Sequence, residues 1–139
     1  MPALWQLCRD GKLEEVRALL ARGGDVNDKS PSEGTALMAA VWKGHNSIVK
    51  FLLDQPRVKV NEKDIAGATA LHYAALGNNA EGARMLLLHP TFNSANSTDN
   101  YGKTALMKAV SERNKEVLLE LVKHESVSLD LREGDLNER

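Results

Sequence analysis

Short apolar stretches alternate with polar turns along the whole chain, and the alternation has a period in the low thirties. Leu37, Ala40 and Val41 stand at helical spacing, as do Leu71, Ala74 and Ala75, and Leu106, Ala109 and Val110. Residues at i, i+3 and i+4 share one helix face. The spacing predicts first helices over 35–43, 69–77 and 104–112. Thr35, Thr69 and Thr104 start them in register, as N-caps whose hydroxyls accept an otherwise orphan backbone N–H. Breaks are expected at Gly44, Asn78 and Asn114, because Gly and Asn tolerate the left-handed conformation that ends many helices. Second helices are predicted over 46–54, 80–88 and 115–123. They bury Ile48, Val49, Leu52 and Leu53, then Ala83, Leu86 and Leu87, then Val117, Leu118, Leu121 and Val122. Pro56 and Pro90 stop two of them, and extended stretches over 58–61 and 92–96 lead into the next turn.

The turns repeat as well. Asp64-Ile65-Ala66-Gly67-Ala68-Thr69-Ala70-Leu71-His72 recurs 35 residues later as Asp99-Asn100-Tyr101-Gly102-Lys103-Thr104-Ala105-Leu106-Met107. It is preceded by 34 residues by Ser30-Pro31-Ser32-Glu33-Gly34-Thr35-Ala36-Leu37-Met38. The N-terminus is a degenerate copy: Gly11 lies 33 residues before Gly44, and Val16–Leu20 lies 33 before Val49–Leu53. Such a unit cannot bury its apolar face alone, so neighbours must stack into one continuous core. The expected fold class is all-α, a solenoid of stacked helix-turn-helix units in one domain over 1–139. Its units run approximately 1–29, 30–63, 64–98 and 99–131, with a polar tail over 132–139 expected to fray. Glu15 stands where later copies have Ile48, Gly82 and Val117, and Glu120 where earlier ones have Ala18, Phe51 and Met85. Charge confined to the end copies reads as capping of a complete, monomeric domain.

Composition narrows the class. Apolar residues are 42% of the 139 but aromatics only 4%, which suits a core of Ala, Leu and Val. Net charge is −1, so no global field draws nucleic acid or an anionic membrane. No apolar run reaches the roughly 20 residues that span a bilayer, and the start at Met1 does not read as a signal peptide. Cys8 is the single cysteine and has no internal partner. An intracellular setting, cytoplasmic or nuclear, is the expectation.

Little catalytic chemistry is encoded. His45, His72, His89 and His124 are spread over separate copies and do not converge on one ion with tetrahedral geometry. Cys8 falls on the buried side of a helix. Glu14 and Glu15 are adjacent on a helix, where neighbours diverge. No phosphate loop is present, and no nucleophile, base and oxyanion donor assemble. The expectation is a protein without enzymatic activity, metal or cofactor.

The repeated unit resembles the ankyrin repeat. Asp64–Ala75 reads Asp-x-x-Gly-x-Thr-x-Leu-His-x-Ala-Ala, with Leu86-Leu87 and Asn96 following. Gly44-His45, Ile48-Val49 and Leu52-Leu53 match in the preceding copy. Ala36, Ala70 and Ala105 replace the usual Pro, Met38 and Met107 replace the His kept at His72, and Arg113 replaces the usual Gly. The resemblance implies paired antiparallel helices with hairpin-like fingers, and a concave face of finger tips and first helices that binds a partner protein. An alternative is a small stand-alone regulatory inhibitor that occludes an enzyme or a cytoskeletal partner.

That register assigns the candidate surface. Arg9, Asp10, Trp42, Lys43, Leu76, Ser111 and Glu112 come from first-helix ends. Lys29, Pro31, Ser32, Lys63, Ile65, Ala66, Ala68, Asn100, Tyr101 and Lys103 come from the fingers. Trp42 reads either as a partner anchor or as a ring packed over a neighbouring helix such as Ala75 and Leu76. Trp5 shares the register of Met38 and His72, so partial burial is expected. The lysines with Ile65 and Trp42 between them suit a partner with an acidic rim around an apolar patch. Asn27, Asn61 and Asn96 resemble ankyrin asparagines that oxygen-sensing hydroxylases modify. Bonding of the hairpin backbone is the favoured reading of all three.

Overall fold

The computed structural model describes residues 2–130; the expected tail over 132–139 lies outside them. Eight helices are found among the described residues: α1 (Leu4–Arg9), α2 (Leu13–Ala21), α3 (Ala36–Lys43), α4 (Asn46–Leu53), α5 (Ala70–Leu76), α6 (Ala80–Leu88), α7 (Ala105–Glu112) and α8 (Lys115–Lys123). The first helices α1, α3, α5 and α7 pack in series, and the second helices α2, α4, α6 and α8 form a parallel layer behind them. This is the all-α solenoid expected from the repeat.

Each first helix starts as its sequence requires. Thr35, Thr69 and Thr104 accept from the backbone N–H three residues on, at 3.2, 3.4 and 3.2 Å. These caps satisfy one orphan donor per helix, worth about 1 kcal/mol each. The helices pack through Ala40, Ala74 and Ala109, all with no exposed surface, so backbones approach closely. At Gly77 a Cβ would lie 2.5 Å from the Trp42 carbonyl oxygen; only glycine lets the end of α5 pass there. Behind this layer Leu52, Leu86 and Leu121 are fully buried, each contributing about 1.5–3 kcal/mol. Stacking accounts for the burial: Val41 and Ala75 are 0% exposed, whereas Val110 at the same register position is 43% exposed, beside the last helix pair.

One expectation about turns needs correction. The left-handed residue ending α7 is Arg113, at φ 58°, not Asn114. It copies the geometry of Gly11 and Gly44, both at φ 75°, so that break is regular. Asn114 instead donates its amide to the carbonyls of Ala75 at 2.7 Å and Leu76 at 3.3 Å. The stretches over 58–61 and 92–96 form no regular strands; the β pairing among the described residues is one bridge between Lys29 and Thr35.

Asparagine amides staple successive repeats. Asn27 donates to the Arg57 carbonyl and accepts from Lys59 N–H, both at 2.8 Å. Asn61 donates to the Thr91 carbonyl and accepts from Asn93 N–H, both at 2.9 Å. Asn96 does the same with Ser126 and Ser128, at 2.8 and 2.6 Å. A side chain saturated on both amide functions serves as a structural clamp.

Candidate functional site

The fingers line up side by side. Ile65 N–H donates to the Ser32 carbonyl and Asn100 N–H to the Ala66 carbonyl, each at 3.0 Å. Each finger also closes on itself, through Ser30 to Gly34, Asp64 to Ala68 and Asp99 to Lys103 backbone bonds. The result is a ridge beside the first-helix layer. Ile65 and Tyr101 project from it, 66% and 78% exposed, and Pro31, Ser32, Ala66, Asn100 and Lys103 are exposed with them. Ala68 is not part of this surface. It is 7% exposed, because the hairpin turns it inward where its N–H bonds Asp64 Oδ1 at 3.0 Å.

Between ridge and helices lies a cleft of about 150 Å³, lined by Trp5, Arg9, Met38, Ala39, Trp42 and Tyr73 together with Ser30, Ser32, Gly34 and Thr35 of the finger and cap. Trp42 combines features of both readings offered for it. Its ring packs on the next repeat, against Tyr73 with centroids 5.8 Å apart and planes tilted by 51°, yet it stays 46% exposed. Tyr73 is fixed in turn by its hydroxyl, which donates to Asp64 Oδ2. Burial, with the Asp64 carboxylate beside it, pushes the Tyr73 hydroxyl pKa well up, so it stays a donor.

Cations flank the cleft. The Lys43 ammonium lies 4.5 Å from the Trp42 ring centroid and the Arg9 guanidinium 5.4 Å from that of Trp5. Such contacts contribute about 0.5–1 kcal/mol at exposed sites. Arg9 also bonds Asp10 at 2.9 Å, which holds the Asp10 carboxyl below its usual range. Other lysines on the ridge are tied to the following repeat: Lys29 pairs with Glu62 at 3.2 Å and Lys63 donates to the Thr98 carbonyl at 3.0 Å.

Of the residues assigned from sequence, Arg9, Ser32 and Trp42 meet in the cleft, with Lys43 beside it. Trp5 is partly buried, as expected, and also forms a wall. Leu76 is half-buried; Ser111 and Glu112 are exposed at the end of α7, and neither lines the cleft. Tyr73, Met38 and Ala39 belong to it and were not assigned. The available signal was spacing: Ala39 is three residues before Trp42, and Tyr73 three before Leu76, a separation that shares a helix face.

Several other titratable groups are buried or hydrogen-bonded within the fold. Cys8 is buried and its thiol is pushed up to about 12 by desolvation. His72 Nδ1 accepts from Thr69 N–H at 3.0 Å, which places the proton on Nε2, 2.8 Å from the Lys103 carbonyl. Burial lowers the His72 pKa. His45 and His89 reach the Arg9 and Leu53 carbonyls of the preceding repeat, each at 3.1 Å. Asp99 is desolvated, which alone raises its pKa, but the backbone N–H groups of Lys103 and Tyr101 and the Lys108 ammonium leave it lowered. No group of three or more metal-ligating side chains converges among the described residues, and no helix there is long and apolar enough to cross a membrane.

Known proteins share this pattern. A family model of ankyrin repeats matches in three copies, over residues 1–64 and 56–133. Inversin from Canis lupus familiaris is 34% identical over 115 residues, 83% of this chain and 10% of that protein. The ankyrin repeat protein YahD of Escherichia coli (strain K12) is 35% identical over 118 residues, 83% of this chain and 58% of its own length. The E3 ubiquitin-protein ligase XBAT33 of Arabidopsis thaliana is 42% identical over 78 residues, 55% of this chain and 15% of that protein. The chain thus spans less than two thirds of each of these relatives. With capped helix pairs stacked in register from Leu4 to Lys123 and a family match along that span, the chain belongs to the ankyrin repeat family.

Proposed function

We propose that this protein is a non-catalytic module that binds a partner protein on its concave face, the surface of fingers and first helices, and that it acts as a monomer inside the cell. The observation that carries the reading is Trp42, 46% exposed yet propped on Tyr73. Large aromatic side chains held rigid at a surface are the usual energetic anchors of interfaces. Ring and cleft walls rest on packed helices, so little ordering cost accompanies association. Ankyrin repeats generally mediate protein–protein contacts, and the net charge of −1 favours a protein over a nucleic-acid partner.

The test is capture from native lysate with intact protein, Trp42→Ala, and a Trp42→Ala/Tyr101→Ala double variant. Loss of the captured protein from Trp42→Ala, with unchanged helical circular dichroism, is the expected result. Equal capture by all three proteins refutes the reading.

A further inference from the structure

The cleft exists because one repeat lacks what the next two have. Ser30, Asp64 and Asp99 occupy one finger position, and Ala39, Tyr73 and Lys108 one helix position nine residues on. In the third repeat Tyr73 bonds Asp64 across the angle between finger and helix. In the fourth, Lys108 pairs with Asp99 at 3.3 Å. In the second, Ser30 and Ala39 are too short to meet. Ser30 Oγ turns instead to Ser32 Oγ at 3.1 Å and Gly34 N–H at 3.2 Å. Gly34 stands where Ala68 and Lys103 stand, removing more side chain. The atoms missing here leave a void of about 150 Å³, of the order that admits a benzene-sized group.

Resting on the concave-face reading above, we propose that this void receives one bulky leucine-like or aromatic side chain of an extended partner segment, and that carboxylates flank that side chain in the partner. Trp5, Met38, Trp42 and Tyr73 supply apolar walls on several sides. Arg9 and Lys43 sit on the outer tryptophan rings, so charge at the mouth is positive. Asp10 already answers Arg9. Lys43 has no carboxylate partner among the described residues, and neither does Lys63, which donates to a carbonyl. Besides Asp10, the exposed acids on this face are Glu33, at a finger tip, and Glu112, at the far end of α7. A segment with an acid beside its apolar residue therefore gains a partner for Lys43, while one with a lysine there meets like charge. Exposed pairs of this kind are screened by salt, and the apolar anchor is not.

The structure also supplies the control. Ser30→Asp/Ala39→Tyr copies the Asp64–Tyr73 pair of the next repeat and fills the void while leaving Trp42 in place. It is expected to keep the wild-type circular dichroism spectrum and melting temperature or better. Displayed random segments are selected on the intact protein, and selected segments are titrated by fluorescence anisotropy. The expected selection is a single leucine, phenylalanine or tryptophan with aspartate or glutamate beside it. A selected segment should bind the filled variant at least about tenfold more weakly. It should bind Lys43→Glu several-fold more weakly at low salt, with that difference shrinking as salt rises. Segments flanked by lysine or arginine, segments without a shared apolar residue, or a failure to select any segment overturn the proposal. Wild-type affinity for the filled variant with loss on Trp42→Ala also overturns it but leaves the concave-face reading standing. Wild-type affinity for both variants removes the concave face itself.

Discussion

Glu33 and Arg113 hold a left-handed backbone conformation that most of the other copies give to glycine, and replacing them with glycine should stabilise the protein. Glu33 has φ 67° where the next two fingers have Gly67 at 76° and Gly102 at 75°. Arg113 has φ 58° where the first two helix pairs have Gly11 and Gly44 at 75° and the third has Asn78 at 52°. A Cβ in the left-handed region costs roughly 1–2 kcal/mol. Glycine returns about 0.4–1 kcal/mol of that through a more flexible unfolded chain. The balance favours Glu33→Gly and Arg113→Gly by roughly 0.5–1 kcal/mol each. Both side chains are exposed and make no hydrogen bond or ion pair, so nothing is lost from the folded state. The sites lie in different repeats, so the effects should add to roughly 1–2 kcal/mol, a rise of a few degrees in Tm for a chain of this size. Urea unfolding followed by far-UV circular dichroism gives the free energies. Gly44→Ala is the mirror experiment: nothing lies within 4 Å of the added Cβ, so its loss of about 1 kcal/mol measures the backbone cost alone. A lower urea midpoint for Glu33→Gly, or an unchanged one for Gly44→Ala, would refute the reasoning.

Asn61→Ala removes the acceptor of Asn93 N–H and of the Ser94 hydroxyl and the donor to Thr91; a loss of about 1–3 kcal/mol in urea unfolding is expected, and a change below a few tenths would deny the staple its role. Cys8, buried and pushed up to about 12, should resist iodoacetamide at neutral pH until the protein is unfolded; labelling of the folded protein at the rate of a free thiol contradicts that. His72 has a folded pKa below its ordinary 6.5, so its contribution is fully present above that value and is lost as pH falls below it, with a slope of at most about 1.4 kcal/mol per pH unit. His72→Met, the residue at the same position in the neighbouring repeats, should flatten that part of the stability curve; identical pH dependence in both proteins would exclude His72 as its source.

The helices were legible because their ends carry local signals. Threonine hydroxyls cap α3, α5 and α7, and the predicted second helices over 80–88 and 115–123 coincide with α6 and α8. What escaped was decided by hydrogen bonds outside the helices. Asn114 has the left-handed preference, but its amide is committed to carbonyls of α5, so the preceding Arg113 takes the positive φ. Ala68, assigned to the ridge because it lies in a finger, is turned inward by the hairpin bonds of Asp64.

The site was less legible than the fold for a different reason. A motif marks positions that every copy fills in the same way, and such positions are the core and the clamps: Thr35, Thr69 and Thr104, or Asn27, Asn61 and Asn96. Binding on a stacked array depends instead on positions where copies differ. Along one helix position the chain reads Arg9, Trp42, Leu76 and Ser111, and along another Gln6, Ala39, Tyr73 and Lys108. The first series pointed to Trp42 at once, since a tryptophan stands out. The second matters through its smallest member, because Ala39 opens the cleft that Trp42 overlooks. A residue that acts by leaving space carries no chemical signature, and it becomes visible only beside the Tyr73 and Lys108 that close the same angle in the following repeats. Within a repeat array, then, a binding site is best sought by subtracting one copy from the next and asking which side chains are missing.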